Sequence, residues 1–151
     1  MAQSLSCVYV HIVFSTKNRE NLLVDGNIRK EMHAYLATIL KEYECPALLV
    51  GGMGDHIHAL CTLSRKATLA KIVGETKRNS SKWIKTKGSE LTGFQWQNGY
   101  GAFSVSYSRV AVVRDYIAHQ EQHHQRMTFQ DEFRALLVKH GLEYNEQYLW
   151  D

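Results

Sequence analysis

The sequence predicts an α+β domain in which an antiparallel sheet carries helices. Its 151 residues suit one domain, spanning 1–151, with a sizeable core. Short segments rich in β-branched and aromatic residues alternate with longer segments of helical period. Their order is β-α-β-β-α-β, with helices appended at the C-terminal end. This order is that of the ferredoxin-like, or split βαβ, arrangement: an antiparallel sheet with two helices on one face.

The first four predicted elements form a β-α-β-β run. Residues 6–15 predict a strand, because β-branched and aromatic residues dominate from Cys7 to Phe14. Asp25 is the N-cap of a predicted helix that reaches about Tyr43, since apolar residues recur there at helical spacing. Two strands follow, over residues 47–50 and 56–63, and a glycine-rich turn over residues 51–54 joins them.

The next elements complete the predicted sheet. Thr68 begins a second helix that extends to Ile84. Residues 88–99 are typical of a loop and include a short strand around residues 94–96. Apolar residues alternate over 102–107, which predicts a further strand with one face toward the core.

The C-terminal part is predicted to be helical. Residues 110–127 predict one helix with Val110, Val113 and Ile117 on its buried side. Thr128 caps a further helix over residues 129–139, and Gly141 stops it. These helices are the ones appended to the split βαβ core.

The composition is that of an ordinary soluble protein, with 44% hydrophobic and 22% charged residues. No apolar run approaches the length of a membrane span, and residues 1–6 lack the pattern of a signal peptide. Cys7, Cys45 and Cys61 are an odd number of cysteines in apolar stretches. We therefore expect a cytoplasmic protein, without a membrane partner, whose cysteines are reduced and buried.

Positive charge is concentrated in one segment. The net charge is only +3, yet residues 65–87 contain eight of the 18 Lys and Arg residues against one acid, Glu75. Such a face favours docking of a polyanion. A solvated helix face is an equally good interpretation of the same pattern.

The most informative motif is His56-Ile57-His58, which closely follows the glycine-rich turn. On a strand, His56 and His58 share one face while Ile57 points into the core. Two imidazoles on one face are half of a metal site that still lacks an oxygen or nitrogen ligand. Taken alone, such a pair is more often structural than metal-binding. Cys61 does not complete a zinc site, because it lies on the opposite face from His58.

A second signal lies in the predicted helix 110–127. Tyr116 and Gln120 are four residues apart and therefore neighbours on one face, which His123 and His124 extend by about one turn. Two imidazoles and an amide oxygen can hold a divalent cation with open positions. Such a cation can polarise a phosphodiester oxygen and help a phenol to act as a nucleophile. Taken alone, Tyr116 is more typical of a packed aromatic residue, and the pair His123-His124 is more typical of a solvated helix end.

Five segments together make a specific pattern. They are Val13-Phe14-Ser15-Thr16-Lys17-Asn18-Arg19, Asp55-His56-Ile57-His58, Val73-Gly74-Glu75-Thr76-Lys77-Arg78-Asn79-Ser80-Ser81, Trp96-Gln97-Asn98-Gly99-Tyr100 and Tyr116-Ile117-Ala118-His119-Gln120. A chain with these segments resembles the single-tyrosine transposases of the IS200/IS605 type, within the HUH endonuclease superfamily. The resemblance spans nearly the whole chain.

The resemblance implies a DNA transposase. In it, His56 and His58 bind Mg²⁺ or Mn²⁺, and Gln120 is the third protein ligand. Tyr116 is the nucleophile that cuts single-stranded DNA, leaving a 5′-phosphotyrosine and a free 3′-hydroxyl for later rejoining. The family works as a homodimer in which the tyrosine-bearing helix can complete the partner's histidine pair. The implied partner is single-stranded DNA with hairpins, in a bacterial or archaeal cytoplasm at the nucleoid.

Candidate DNA contacts follow from charge and aromaticity. The candidates for phosphate contacts, chosen by charge alone, are Lys77, Arg78, Lys82 and Lys85. Trp96 and Tyr100 are weaker candidates for base stacking, and burial in the core is at least as good an interpretation for either. The resemblance implies no role for His119, His123 or His124. An approach of His123 or His124 to the metal or to a phosphate stays open, and a structural or solvated role is the better interpretation. The segment 144–150 should pack onto the domain or onto the partner.

Two other functions stay open at this point. A domesticated relative that acts on chromosomal palindromic repeats would share the chemistry and differ in its DNA target. A non-catalytic nucleic-acid-binding module on a ferredoxin-like sheet would need exposed aromatic residues on the sheet and no metal ligands. The set of His56, His58, Tyr116 and Gln120 argues against the module, and a structural zinc protein is the weakest interpretation.

Overall fold

The fold is a four-stranded antiparallel sheet with helices on both faces, in a computed structural model that describes residues 2–151. The strands are β1 (Tyr9–Ser15), β2 (Ala47–Gly52), β3 (His56–Thr62) and β4 (Gly101–Val105), and the helices are α1 (Gly26–Glu42), α2 (Leu69–Ile84), α3 (Val110–Ala118), α4 (Gln120–His123), α5 (Phe129–Lys139) and α6 (Glu146–Leu149). The strand order is β2-β3-β1-β4. The predicted ferredoxin-like fold is confirmed, with β3 in a central position. None of the helices described is both long and apolar enough to span a bilayer.

Local sequence signals set the helix ends as predicted. The side chains of Asp25, Thr68 and Thr128 accept hydrogen bonds from backbone N–H groups in the first turns of α1, α2 and α5. These bonds satisfy donors that have no partner inside the helix. Gly141 has φ +68° just after α5, a conformation that glycine adopts without a Cβ clash.

Strand ends differ from the prediction where pairing decides them. β1 begins at Tyr9 rather than at residue 6, because Tyr9 is the first residue with a partner on both sides, Thr62 and Val105. β4 correspondingly ends at Val105, and Tyr107 lies in a 3-10 turn instead of in the strand.

Two further predictions about the sheet need correction. β2 extends through Gly52, so the pair of glycines is paired with β3 rather than forming the turn. The strand predicted around residues 94–96 is reduced to one isolated bridge between Thr16 and Trp96.

The predicted helix 110–127 is broken, and this correction matters for the site. The chain leaves helical geometry at His119, with φ −108° and ψ 31°. The His119 ring Nδ1 lies 2.7 Å from the Asp115 carbonyl oxygen, while the His119 N–H bonds to the Tyr116 carbonyl oxygen instead. The His119 ring thus takes the place of the His119 N–H at the Asp115 carbonyl oxygen, and the regular helical hydrogen bond is lost. The following residue, Gln120, is buried.

The two faces of the sheet have different roles. One face packs against α1 and α2 and forms the larger core, which includes Ile57 as predicted. The other face packs against α5, through a cluster of Val13, Phe103, Phe129, Phe133 and Leu137. Because side chains alternate along a strand, His56 and His58 lie on this second face, beneath the C-terminal helices.

Gly51 allows α3 to lie directly on β2. A Cβ at Gly51 would lie 2.8 Å from Ile117 Cγ2 and 2.9 Å from the Ile117 carbonyl oxygen. Those distances are below van der Waals contact, so only glycine permits this approach. Ile117 is buried as predicted, whereas Val110 and Val113, predicted on the same side, are only half-buried. The contact brings its neighbour Tyr116 over the central strands.

The cysteines follow the prediction in two cases of three. Cys45 and Cys61 are free and buried, and burial raises the pKa of the Cys61 thiol to about 12. Cys7 is exposed, because it precedes the paired part of β1. The prediction of three buried cysteines is therefore wrong for Cys7.

We expect His33 to make the fold acid-sensitive. Burial lowers the pKa of His33 to about 4, and its Nε2 has no hydrogen-bond partner within residues 2–151. The folded state then resists a proton that the unfolded chain accepts below about pH 6.5. The free energy of unfolding should be unaffected by His33 above that pH and should fall by up to about 3 kcal/mol as the pH decreases to about 4. Urea titrations of wild type and His33→Leu at pH 7, 5.5 and 4.5 should show a smaller loss in the variant. Equal losses would contradict this role.

Candidate active site

The predicted histidine pair has a fixed orientation. His56 and His58 are completely buried. His56 Nδ1 lies 2.7 Å from a carboxylate oxygen of Asp55, and His58 Nδ1 lies 2.8 Å from His11 Nε2. With both Nδ1 atoms engaged by these outer partners, both Nε2 atoms face the space under α3, α4 and α5. Outer hydrogen bonds of this kind orient metal-binding imidazoles.

The structure brings Gln120 to this pair. Its Oε1 lies 2.9 Å from His56 Nε2, and the side chain is buried. The break at His119 sets the start of α4, from which Gln120 projects toward β3. The three side chains proposed from sequence as metal ligands therefore converge within one chain, because His56 lies against both Gln120 and His58, with 5.2 Å between the two ring centres. Their role as ligands stays a proposal.

Glu132 is a fourth member of the cluster, and sequence reasoning missed it. Its Oε1 lies 3.0 Å from His58 Nε2 and 3.4 Å from His56 Nε2. Its Oε2 accepts a hydrogen bond of 3.0 Å from the Gln120 amide. The ligand atoms of His56, His58 and Glu132 all lie within 4.8 Å of one another, a grouping that can hold a metal ion.

A sequence signal for Glu132 did exist. Phe129, Glu132, Phe133 and Leu136 occupy positions i, i+3, i+4 and i+7 of α5, which is the spacing of a buried helical stripe. An acid within such a stripe is unusual, because burial of an unpaired carboxylate is costly. The sequence shows the anomaly but not the residues that Glu132 meets.

Tyr116 also reaches this carboxylate. Its hydroxyl donates a hydrogen bond to Glu132 Oε2, and its ring centre lies 5.9 Å from that of His58. Burial and the adjacent Glu132 charge raise the pKa of the Tyr116 phenol above its ordinary value. In the absence of a metal cation, Tyr116 is thus held as a neutral phenol.

His124 balances the charge of Glu132. Its Nδ1 lies 3.0 Å from the Met127 carbonyl oxygen, and its Nε2 lies 3.1 Å from Glu132 Oε1. Both neighbours only accept hydrogen bonds, so their positions favour a proton on each ring nitrogen and hence a positive charge on the ring. Burial opposes that charge, but the bond to Glu132 outweighs it and raises the pKa of His124.

The charge state of Glu132 follows from the same contacts. Burial tends to raise its pKa, yet hydrogen bonds from His124 and His58 prevail and hold the pKa well below the usual range. The site is therefore a buried anion whose partners are imidazoles, an amide and a phenol. Within residues 2–151, no Lys or Arg forms an ion pair with it.

The donor set fits a divalent cation. Two imidazole nitrogens, an amide oxygen and a carboxylate oxygen converge, and a mixed set of this kind suits Mg²⁺ or Mn²⁺ with positions left for water or substrate. For His58 Nε2 to bind a cation, its proton must sit on Nδ1, where His11 Nε2 can accept it. His11 was also missed by sequence reasoning.

The other two histidines of this region lie outside the cluster. The His123 ring packs against Tyr116, with ring centres 4.5 Å apart. His119 is exposed and contacts Asp115.

The candidate DNA contacts are separate from this cluster. The ammonium of Lys77 donates to the carbonyl oxygens of Gln97 and Asn98 at 2.8 and 3.2 Å and to that of Gly99, and burial lowers its pKa to about 8. Lys77 therefore orders the loop before β4. Arg78 is exposed and pairs with Glu75.

Lys82 and Lys85 are exposed, and neither forms an ion pair within the part of the chain that the structure describes. Of the two aromatic candidates, Trp96 is only 7% exposed and donates from Nε1 to Ser80 Oγ at 2.9 Å. Trp96 is therefore packed in the core, whereas Tyr100 is 38% exposed.

The C-terminal segment packs onto its own chain. The Trp150 ring centre lies 6.0 Å from that of Phe133, and the guanidinium of Arg19 lies 5.1 Å from the Trp150 ring centre. The Asp151 carbonyl oxygen accepts a hydrogen bond of 2.8 Å from the Gly99 N–H. The C-terminal segment thus packs onto the domain, which is one of the two arrangements predicted for it.

Comparison with known protein families shows the family to which this chain belongs. A family model described as "Transposase IS200 like" matches residues 4–120. The chain belongs to this family. The match includes the histidine pair, Tyr116 and Gln120, and it ends at Gln120. Glu132 and the rest of α5 lie beyond the matched residues.

Two solved structures share the fold of this chain. A provisionally assigned transposase from Deinococcus radiodurans R1 is 21% identical, with a TM-score of 0.62 over 80% of this chain and 95% of that chain. A REP-associated tyrosine transposase, solved bound to a REP hairpin, is 14% identical, with a TM-score of 0.56 over 95% and 89%. At these identities the similarity shows the fold. The comparison with curated proteins gave no match.

Proposed function

We propose that this IS200-like transposase cuts and rejoins single-stranded DNA through a covalent bond to Tyr116. The observation that supports this most strongly is the cluster itself. Tyr116 shares the carboxylate of Glu132 with His58 and Gln120, so a nucleophile and a set of metal ligands meet within one chain. Membership of the family supports a transposase role.

The proposed metal ligands are His56, His58 and Gln120, with Glu132 as a fourth. A bound Mg²⁺ or Mn²⁺ would polarise a phosphodiester oxygen and stabilise the charge of in-line displacement. Asp55 and His11 hold the two imidazoles in place from behind. Protein groups fixed in this way act without reorganisation during the reaction.

Tyr116 would carry out the displacement. Its phenolic oxygen loses its proton to solvent and forms a bond to phosphorus, the bond from phosphorus to the 3′-oxygen breaks, and the 3′-oxygen takes up a proton from solvent. The products are a 5′-phosphotyrosine and a free 3′-hydroxyl, which can attack the phosphotyrosine in the reverse reaction. Glu132 accepts the phenol hydrogen bond and so orients the oxygen.

The direct test is adduct formation on a labelled single-stranded oligonucleotide that contains a hairpin. We expect a covalent protein–DNA band in denaturing gels with Mg²⁺ or Mn²⁺, and none after chelation. Peptide mapping should place the DNA on Tyr116. Cleavage at the normal rate by His56→Ala in the presence of chelator would remove the metal from the proposal.

The proposed substrate is single-stranded DNA with hairpins, held in part by the basic face of α2. The exposed candidates for contacts are Arg78, Lys82, Lys85 and Tyr100. Lys77 stays a candidate, although its ammonium is engaged by loop carbonyls. Trp96 would need to leave the core to stack on a base. The REP hairpin bound by a protein of the same fold supports this choice of substrate. Such a protein would act at the nucleoid.

A homodimer with composite sites is proposed from the family resemblance, and the structure offers a sharp test of it. Tyr116 reaches Glu132 of its own chain, so the geometry allows a site completed in cis. Mixing His56→Ala with Tyr116→Phe protein distinguishes the two arrangements. We expect no adduct from the mixture if each chain completes its own site. Recovery of adduct after subunit exchange would show that Tyr116 acts on the partner's site.

A domesticated relative is the second candidate. It would share the chemistry and act on chromosomal palindromic repeats, and the fold shared with a REP-associated protein favours it. Subterminal hairpins flanking the gene would indicate a mobile element instead. A non-catalytic module does not explain a buried carboxylate shared by Tyr116 and two imidazoles.

Asp55 offers a further test of the metal site. Asp55→Asn removes the carboxylate that fixes the proton of His56 on Nδ1, so we expect Mn²⁺ binding to weaken roughly 10- to 100-fold. Electron paramagnetic resonance of free Mn²⁺ measures this without any reaction. Asp115→Asn is the matched control, because that side chain is exposed. Equal weakening in both variants would contradict the role of Asp55.

A further inference from the structure

A groove of about 610 Å³ opens beside Tyr116, on the side of β4. It is lined by residues of β4, α3 and α5. Tyr116 and Glu132 contribute to its lining, and the apolar side chains along it include Val105, Val112, Val113 and Leu136. Sites for small ligands span about 300–1,000 Å³, so the groove can take a unit the size of one nucleotide.

Two cations also line this groove. They are Arg109, just before α3, and Lys139, the last residue of α5. Neither forms an ion pair with an acid anywhere in residues 2–151. A largely apolar groove with unpaired cations complements a nucleotide, because a base has apolar faces and its phosphate is an anion.

We propose that this groove is a nucleobase subsite for the strand that Tyr116 attacks. It takes the base next to the scissile phosphodiester, and Arg109 and Lys139 contact phosphates of the same strand. The inference rests on the proposed function, since it assigns a place to part of that substrate. The position of Tyr116 in the lining makes the groove a route by which a strand reaches the nucleophile.

A matched pair of variants on α5 tests the groove. Ala135 lines it, whereas Val138 lies on the same helix outside it, and both are exposed. Ala135→Glu places an acid inside the groove, and Val138→Glu adds the same charge beside it. Binding of fluorescein-labelled dT12 is measured by anisotropy in the Tyr116→Phe background with EDTA, so that no adduct contributes. We expect roughly tenfold weaker binding for Ala135→Glu and a change below about twofold for Val138→Glu.

A second pair tests the cations. Lys139→Gln removes one proposed phosphate contact, and Lys30→Gln removes an exposed charge on α1. For Lys139→Gln, the slope of log Kd against log salt concentration should fall by about 0.7, because one fewer counterion is displaced. Lys30→Gln should leave the slope unchanged.

The outcomes separate this inference from the proposed function. Equal binding by Ala135→Glu and Val138→Glu, or no binding of dT12 by the parent protein, would overturn the subsite. An unchanged salt slope for Lys139→Gln would remove that residue from it. If the binding pattern holds while the wild-type protein forms no adduct, the groove stands as a nucleotide site and the cleavage reaction is wrong.

Discussion

Tyr116→Phe is expected to abolish the covalent protein–DNA adduct while leaving the fold and DNA binding in place. The substitution removes one oxygen, which is the atom proposed to attack phosphorus. The phenyl ring keeps its packing against His123, 4.5 Å away between ring centres. Loss of the hydrogen bond to the ionised Glu132 should lower the free energy of unfolding by about 2 kcal/mol. Denaturing gels and mass spectrometry of the oligonucleotide reaction measure the adduct, and urea titration measures the stability.

Tyr107→Phe is the matched control, because Tyr107 is 81% exposed and belongs to a 3-10 turn outside the cluster. Its adduct yield should equal that of wild type. An adduct that persists in Tyr116→Phe would show that another residue is the nucleophile, and peptide mapping of the adduct would identify it.

Glu132→Gln is expected to weaken Mn²⁺ binding by at least roughly tenfold, although Glu132 lies outside the residues that match the family. The amide keeps the size of the side chain and removes the negative charge that attracts the cation. The two imidazoles and Gln120 would be left as neutral ligands. Calorimetry or Mn²⁺ resonance reports the affinity without DNA and without turnover.

Glu132→Ala should also destabilise the metal-free protein, by about 3 kcal/mol. It removes the acceptor for Tyr116, His58 and the Gln120 amide, and it leaves the His124 cation without its buried partner. Urea titration at pH 7 measures this cost.

Glu121→Gln is the control for both experiments. Glu121 is exposed, and its ion pair with Arg29 at 3.6 Å is a surface contact worth about 0–1 kcal/mol. Metal affinity should be unchanged in this variant. If Glu132→Gln binds Mn²⁺ as tightly as Glu121→Gln does, Glu132 is a structural hydrogen-bond acceptor and not a ligand.

Much of the fold could be predicted because its signals are local. The caps at Asp25, Thr68 and Thr128 are bonds between neighbours in sequence, and the period of apolar residues shows which side of each element is buried. Alternation on β3 likewise predicts that His56 and His58 share a face. These features need no knowledge of distant contacts.

The misplaced boundaries have a common cause. β1 starts where both neighbouring strands offer partners, and the helix 110–127 breaks where the His119 side chain takes the place of its own N–H. In each case a contact outweighs a weak local preference. A propensity scan cannot anticipate that, because the competing partner is remote or depends on side-chain geometry.

Strand and helix periods along the chain are enough to predict the split βαβ order and the shared face of His56 and His58. They do not predict the break at His119, which places Tyr116 and Gln120 on different helices. The covering of the second face of the sheet by α5 is visible only in the tertiary structure. That packing brings Glu132 to the histidine pair, 74 residues from His58 along the chain. A buried carboxylate finds its partners through packing of distant elements, and those partners cannot be identified from the periodicity of its own helix.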